Sequence, residues 1–177
     1  MVVAMALINA LAVEHAHGRP VGPVEPGPAI AGILAIDPPS AAAFRSGDSP
    51  GFTELARQLR QIVDDLDRGD VDAAAGRLNT FLVEHPAHPH LAKEDGRWRL
   101  HHHPADAALV PMWTSICAAS IARLVGAGLH DRVGTCHAPG CDLAFIDASK
   151  NGSRRFCSTP CQNRVKAATF RRRAQTR

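Results

Sequence analysis

Residues 136–166 read CHAPGCDLAFIDASKNGSRRFCSTPCQNRVK and hold four of the five cysteines in the chain. Two close pairs of cysteines joined by a loop suit tetrahedral zinc, because each pair binds from one local turn at Zn–S distances of about 2.3 Å. The odd cysteine count and this crowding favour a metal in a reducing compartment, with disulfides as the alternative. The sequence therefore predicts one structural zinc ion, bound by Cys136, Cys141, Cys157 and Cys161.

The residues around these cysteines predict a small finger of the treble-clef-like type. A Pro-Gly turn lies between the first two cysteines, and the apolar residues at 143–146 suit a short strand after it. Ser158 and Pro160 are typical of the cap and first turn of a helix, which we expect over 160–173. Cys161 would then lie in the first turn, where the positive end of the helix dipole favours a thiolate.

Arginines near the expected metal site are candidates for a supporting role. Four thiolates and one Zn²⁺ leave a net negative charge, which cationic donors to the sulfur atoms can offset. Three arginines flank the second cysteine pair and are expected to do so: Arg154, Arg155 and Arg164. Ordinary surface positions are the alternative for each of them.

Charge is divided unevenly along the chain. The formal net charge at pH 7 is +3, yet residues 150–177 contain nine Lys and Arg residues and no Asp or Glu. All 17 acidic residues lie before residue 150. An acidic body with a strongly basic end favours a polyanionic partner for that end. A solubilising or disordered tail is the alternative.

The helix expected over 160–173 has two faces when successive residues are placed 100° apart around its axis. The face on the side of Cys161 includes Arg164, Val165, Ala168 and Arg172. Lys and Arg suit phosphates, Asn suits the edge of adenine, and Phe suits an apolar base edge. We therefore predict nucleic-acid contacts, with DNA favoured, from outward and flanking residues: Asn163, Lys166, Phe170, Arg171 and Arg173. A solvated basic face with its phenylalanine packed on the body is the alternative.

Two amphipathic helices dominate the middle of the chain. Apolar residues recur every three or four positions over 52–66 and again over 71–82, which is the period of a helix with one buried face. Ser49 is expected to cap the first helix, Gly69 to end it, and Asp70 to cap the second. The short turn between them predicts an antiparallel helical hairpin.

The remaining segments complete a mostly α fold with a small β-hairpin, which is an α+β class. Residues 2–16 indicate a buried helix or a strand followed by a helix, and residues 18–28 indicate a loop rich in Pro and Gly. Residues 89–103 predict a β-hairpin with Asp95-Gly96 in its turn. A third helix is expected over 106–126, with core positions that include Met112, Trp113, Ile116 and Cys117.

Two domains and a cytoplasmic location follow from this organisation. The first 16 residues are apolar but too short to span a bilayer, and no Lys or Arg precedes Arg19, so the basic start of a signal peptide is missing. We expect no membrane association. The expected domains are a mostly helical one over residues 1–128 and the zinc finger over residues 129–177.

A small-molecule site is the third candidate. Successive strand residues point to opposite faces, so His101 and His103 can share a ligand while His102 cannot join them. A pocket for an effector is expected near three aromatic and imidazole side chains: His101, Trp98 and Trp113. No Gly-rich phosphate loop, serine elbow or pair of carboxylates occurs, so no enzyme is predicted. An enzyme of small molecules that uses His101 or His103 is the alternative.

The cysteine-rich segment resembles the CGNR zinc-finger family. The resemblance lies in three stretches, CHAPGC at 136–141, FIDASKN at 145–151 and SRRFCSTPCQNRVK at 153–166. The family is named for a Cys-Gly-Asn-Arg run at its last ligand, and here Gln162 stands in place of that glycine. The resemblance covers about residues 130–175.

The rest of the chain is similar to the ABATE domain, the usual partner of that finger. The likeness rests on ALIN at 6–9, the central pair of helices, and WRLH at 98–101 before the third helix. It implies a bacterial transcription regulator linked to stress, in which the finger binds DNA and the ABATE domain senses a ligand. A single small finger favours a homodimer or a further partner for useful DNA affinity. A finger that binds RNA or protein is the alternative.

Overall fold

The structure is a computed structural model that describes residues 1–94, 96–104 and 106–175. The expected turn residue Asp95 lies outside the described residues. The helices are α1 Val2–Leu11, α2 Pro26–Leu34, α3 Pro38–Ala43, α4 Ser49–Asp67, α5 Val71–Glu84, α6 Leu109–Gly126 and α7 Thr159–Gln175. The strands form antiparallel pairs: β1 His15–Ala16 with β2 Arg19–Pro20, β3 Pro89–Glu94 with β4 Arg97–His102, and β5 Val133–Thr135 with β6 Ala144–Ile146. The predicted class, mostly α with a small β-hairpin and a C-terminal finger, is confirmed.

Helix α4 is the centre of the hydrophobic core and contacts α1, α2, α5 and α6. Phe52, Leu59 and Ile62 on α4 are fully buried, as are Leu7 and Ile8 on α1. An aliphatic core of this kind agrees with a chain that has no tyrosine and only 5% aromatic residues. Burial of these side chains supplies the main driving force for folding.

The helical hairpin of α4 and α5 forms as its sequence predicts. Gly69 adopts a φ of +77°, the left-handed conformation that ends a helix. Asp70 caps α5, with its carboxylate accepting a hydrogen bond from the backbone N–H of Ala73 at 3.0 Å. The expected capping role of Ser49 is wrong, since α4 begins at Ser49 and Asp48 occupies the cap position without a side-chain hydrogen bond.

One expectation for the N-terminal segments needs correction. Residues 18–28 do not form a loop throughout, because β2 lies within them and α2 begins at Pro26. A proline at the first helical position loses no hydrogen bond, so the same residues that resemble a loop can start a helix. In the stretch over 2–16 the first of the two expected arrangements forms, since α1 is a buried helix and β1 follows it.

Helix α6 begins at Leu109, three residues later than expected, and is turned about its axis relative to the predicted core face. Trp113 and Cys117 are buried as predicted, whereas Met112 and Ile116 are only partly buried. Thr114, Ser115, Ala118 and Ile121 are buried as well. Among the described residues α6 is the one helix long and apolar enough to span a membrane, and it packs on α4 and α5.

The β3–β4 hairpin has one face toward α6 and one face toward solvent. Its register pairs His90 with His101 and Lys93 with Trp98. Because side chains alternate across a strand, Trp98 and His101 lie on opposite faces. Trp98 is 67% exposed.

The C-terminal finger packs directly on the N-terminal helices. Strand β5 contacts α4, and strand β6 contacts α1. Val133 and Ala144 on these strands belong to the same buried cluster as the core of α1 and α4. The two parts of the chain therefore share one hydrophobic core.

Candidate functional site

The four cysteines predicted as metal ligands come together in the finger. The Sγ atoms of Cys141 and Cys157 are 3.8 Å apart, those of Cys157 and Cys161 are 3.7 Å apart, and those of Cys161 and Cys141 are 3.8 Å apart. Tetrahedral coordination with Zn–S bonds of about 2.3 Å requires sulfur–sulfur separations of about 3.8 Å. Cys136 is buried in the same cluster but is not among the ligand atoms that all lie within 4.8 Å of one another. This donor set fits zinc.

The elements of the finger explain how the cysteines meet. The β5–β6 turn carries the first pair, and the N–H of Cys136 donates to the carbonyl of Leu143 at 2.9 Å. Cys157 precedes α7, and Cys161 lies in its first turn as predicted. The segment over 147–156 thus joins the two local turns that carry the cysteine pairs.

Sequence reasoning missed one donor in this cluster. The Nδ1 atom of His17 is 3.3 Å from the Sγ atom of Cys161. His17, Cys141, Cys157 and Cys161 each contribute one ligand atom to a group whose atoms all lie within 4.8 Å of one another. His17 is 144 residues from Cys161 in the chain, and no local motif indicates such a contact.

The thiols of the cluster have different acidities. Burial raises the pKa of Cys161, but hydrogen bonds from His17 and Arg164 outweigh it and lower that pKa to about 6. Burial raises the pKa values of Cys157 and Cys136 above the usual thiol range. Cys161 is therefore more thiolate-like than Cys136 and Cys157, and a bound metal would deprotonate its thiol ligands.

The three flanking arginines have different positions. Arg164 donates to the carbonyl of Pro139, and its Nη2 atom lies 3.9 Å from the Sγ atom of Cys161. Arg154 donates to the carbonyl oxygens of Phe156 and Cys157 and stacks over the ring of Phe145 at 5.1 Å. Arg155 instead reaches the ring of His137 at 3.5 Å. Arg164 therefore approaches a cysteine sulfur, while Arg154 braces the backbone of the second pair.

Asp147 organises the loop between the two cysteine pairs. Its carboxylate oxygens accept hydrogen bonds from the backbone N–H groups of Ser149 and Arg154, both at 2.8 Å. Hydrogen bonds from these two residues lower the pKa of Asp147 to about 2. The sequence FIDASKN thus contains a carboxylate that holds the loop while ionised.

Helix α7 carries the predicted nucleic-acid residues on an exposed surface. Phe170 is 75% exposed, so packing of this ring on the body does not occur. The other four residues of the predicted set are exposed as well: Asn163, Lys166, Arg171 and Arg173. On the opposite side Cys161 is buried and Val165 partly buried, whereas Ala168 and Arg172 are exposed. Only the first part of α7 therefore rests on the body.

A cavity of about 650 Å³ lies between α1, α3, α6 and β4. Its lining includes apolar side chains from α6 together with His101 and His103. The Nε1–H of Trp113 donates to the hydroxyl of Ser40 at 3.0 Å beside it. Trp113 and His101 line this cavity, but the expected third member, Trp98, does not, because it lies on the outer face of the hairpin.

Comparison with known families identifies both parts of the chain. A model of the ABATE family, described as "Putative stress-induced transcription regulator", matches residues 2–128. The chain belongs to the ABATE family. A model of the CGNR zinc finger matches residues 132–174. Both resemblances seen in the sequence are therefore confirmed, with the ABATE domain first and the zinc finger after it. Comparison with curated proteins gives no match.

Neither matching family is an enzyme family: one is a regulator and the other a zinc finger. His101 and His103 nevertheless form a contact in the ABATE domain, with Nδ1 of His101 3.2 Å from Nε2 of His103. His90 stacks on His101 with ring centroids 5.2 Å apart. Among the described residues, the one group of potential metal ligands whose atoms all lie within 4.8 Å of one another combines His17 with Cys141, Cys157 and Cys161.

Polar contacts fasten the finger to the ABATE domain around the shared core. The side chain of Asn9 donates to the carbonyl of Ala144 at 3.0 Å and accepts from its N–H at 2.8 Å. Asp67 accepts from the N–H of Thr135 at 3.0 Å. Gly134 approaches Asp67 so closely that a Cβ atom there would be 2.7 Å from its Oδ1 atom. The finger is therefore held in one position on α1 and α4.

Proposed function

We propose that this ABATE protein is a bacterial, cytoplasmic transcription regulator that binds DNA through its finger and basic helix α7. Residues 1–128 act as a ligand-sensing domain and residues 129–177 as the DNA-binding domain, with one structural zinc ion per chain. The family match supports a regulator. The observation that carries the DNA proposal is the exposed cationic surface of α7.

The geometry of α7 suits a nucleic-acid groove. Its buried side begins at Cys161, so the metal cluster fixes the start of the helix, while the exposed residues continue beyond the body to Gln175. Residues 148–177 contain no Asp or Glu, so no carboxylate in this segment opposes phosphate. Lys166 and Arg173 contact phosphates, whereas Asn163 supplies a side chain suited to a base edge.

Zinc acts here as a structural ion. It would be held by Cys136, Cys141, Cys157 and Cys161, a full set of four protein ligands that leaves no position for a reactive water. The chemistry that zinc supplies is the cross-linking of the β5–β6 turn to the start of α7. Because binding free energy becomes folding free energy in such sites, the orientation of α7 depends on it.

Salt-dependent binding to duplex DNA tests the proposal. The double variant Lys166→Ala/Arg173→Ala removes two phosphate contacts, so it should weaken binding and reduce the log–log salt slope by about 2. A matched control, Lys93→Ala/Arg97→Ala, removes two exposed charges from the β3–β4 hairpin and should leave both quantities unchanged. Both variants must retain zinc for the comparison to count.

Other outcomes would contradict DNA binding or favour a different partner. A zinc-loaded protein that binds no duplex, or an equal loss in both double variants, would contradict DNA binding by α7. Tighter binding of single-stranded RNA than of duplex DNA would favour an RNA-binding finger. A salt-insensitive partner would favour protein recognition.

The cavity in the ABATE domain supports the second part of the proposal. Its volume of about 650 Å³ lies within the range of about 300–1,000 Å³ typical of small-molecule pockets. Leu109, Met112 and Ile116 supply an apolar floor, while His101 and His103 supply polar groups. We propose that the effector is a small, mainly apolar molecule with one hydrogen-bonding group.

A fluorescent apolar probe tests the cavity. The wild type should bind 1-anilinonaphthalene-8-sulfonate at one site, and Ala107→Trp, which fills the lining, should abolish that binding. Val83→Trp places the same ring on the exposed surface of α5 and serves as the control. Equal probe binding by the wild type and both variants would contradict the proposed pocket.

A further inference from the structure

A histidine of the ABATE domain lies at the metal centre of the finger. We propose that His17 donates a hydrogen bond to the thiolate of Cys161 and so makes the metal centre an interdomain centre, in which zinc binding and docking of the finger on the ABATE domain are coupled. The inference rests on the proposed zinc ion. It adds a residue that lies outside the CGNR finger and its four cysteines.

The contact geometry is that of a hydrogen bond to sulfur. The Nδ1 atom of His17 lies 3.3 Å from the Sγ atom of Cys161, and Arg164 approaches the same sulfur from a second direction. Since a zinc ion with four thiolates is net negative, donors to the sulfur atoms stabilise it. His17 and Arg164 thus both approach this ligand with side-chain nitrogen atoms.

The backbone of the β1–β2 hairpin is a second observation that supports a role for His17. His17 and Gly18 form the two-residue turn between β1 and β2, with φ values of +55° and +87°. Positive φ at both positions is typical of a type I′ turn, for which Asn-Gly is the favoured pair. Among the described residues His17 is the one non-glycine residue with positive φ. Such local strain persists where the side chain is needed.

The β1–β2 hairpin is also hydrogen-bonded to the β5–β6 turn of the finger. The N–H of Gly18 donates to the carbonyl of Gly140 at 2.7 Å, and the N–H of Asp142 donates to the carbonyl of His15 at 2.9 Å. A Cβ atom on Gly18 would be 2.6 Å from the guanidinium of Arg164. Two backbone hydrogen bonds and the close approach of Gly18 to Arg164 therefore surround the contact that reaches a ligand, so ordering of the cysteines and ordering of the hairpin depend on each other.

The test uses a variant that keeps the turn. His17→Asn replaces the imidazole with the residue that this turn type favours, so a folding defect of the hairpin is not expected. It should weaken zinc affinity by about tenfold or more, measured by competition with a chromophoric chelator. His88→Asn removes an exposed imidazole that lies outside this hairpin and the finger, and it should change zinc affinity by less than about twofold.

Two further measurements distinguish a hydrogen bond between His17 and Cys161 from simple packing of the two side chains. In the cobalt-substituted protein, loss of the hydrogen bond should shift the thiolate-to-cobalt charge-transfer band to longer wavelength, with the number of thiolate ligands unchanged. Hydrogen exchange at the amide of Gly18 should accelerate when zinc is removed from the wild type.

Specific results would overturn the inference. The inference fails if His17→Asn has the same zinc affinity and the same cobalt spectrum as the wild type. It also fails if hydrogen exchange at the amide of Gly18 is equally fast with and without zinc. A wild-type cobalt spectrum of three thiolate ligands and one nitrogen ligand would also overturn it, because His17 would then be a direct ligand. If the wild type itself binds no zinc, the proposed metal fails instead, which is a different result.

Discussion

At the scale of single residues, Asp147 gives a pH-dependent contribution to stability. Its pKa is about 2 in the folded protein and about 3.9 in an unfolded chain, so the ionised carboxylate favours the folded state above pH 4. That stabilisation is lost as the pH falls from about 4 to about 2. The melting temperature of Asp147→Asn should therefore lie below that of the wild type at neutral pH, and the gap should close in this window.

A control isolates the role of that carboxylate. Asp131→Asn changes an exposed aspartate near the finger and should leave the melting temperature nearly unchanged at both pH values. A gap between Asp147→Asn and the wild type that stays constant from pH 7 to pH 2 would contradict the assignment.

Asn9 is the second residue whose role can be measured. An aspartate at this position can accept from the N–H of Ala144 but cannot donate to its carbonyl, so Asn9→Asp should lower the free energy of unfolding by about 1–3 kcal/mol. Denaturant titration measures the change. The same substitution at exposed Asn79 on α5 is the control, and an equal loss in both variants would mean that the contact with Ala144 is not responsible.

At the scale of elements, α4 connects the ABATE core to the finger. Leu59 is fully buried on this helix, so Leu59→Ala should lower the free energy of unfolding by about 2–5 kcal/mol through lost burial and a cavity. Val83→Ala on the exposed face of α5 should change it by less than about 0.5 kcal/mol. A loss at Leu59 no larger than the loss at Val83 would show that α4 is not the centre of the core.

Elements defined by local chemistry could be predicted from the sequence, and long-range contacts could not. Helices α4 and α5 follow from apolar spacing and the Asp70 cap, and the cysteine cluster follows from two local turns. Contacts of Asn9 with Ala144 and of His17 with Cys161 join residues 135 and 144 positions apart. A single sequence carries no pairing signal at such distances.

Two other differences also have physical reasons. Helix α2 was hidden because the prolines that start it also resemble a loop. Trp98 and His101 are only three residues apart in the sequence, yet strand alternation puts the two side chains on opposite faces of the hairpin, so Trp98 does not line the cavity. Residues that are close in sequence are therefore not always neighbours at a site.

At the scale of the whole molecule, the shared core and the metal cluster link the two domains. The finger contributes Val133 and Ala144 to the ABATE core, and the ABATE domain contributes His17 to the cysteine cluster. Removal of zinc by a chelator should therefore lower the melting temperature of the full chain and raise protease sensitivity after residue 129. Proteolysis that is the same with and without chelator would contradict the link.

The most direct test of the account is a zinc titration of metal-free protein in the presence of fluorescent duplex DNA, followed by fluorescence anisotropy. We predict that DNA binding rises in parallel with zinc, saturates at one zinc ion per chain, and is reversed by a chelator. Binding that is equally strong without zinc, or no binding by the zinc-saturated protein, would contradict a zinc-ordered finger that presents α7 to DNA.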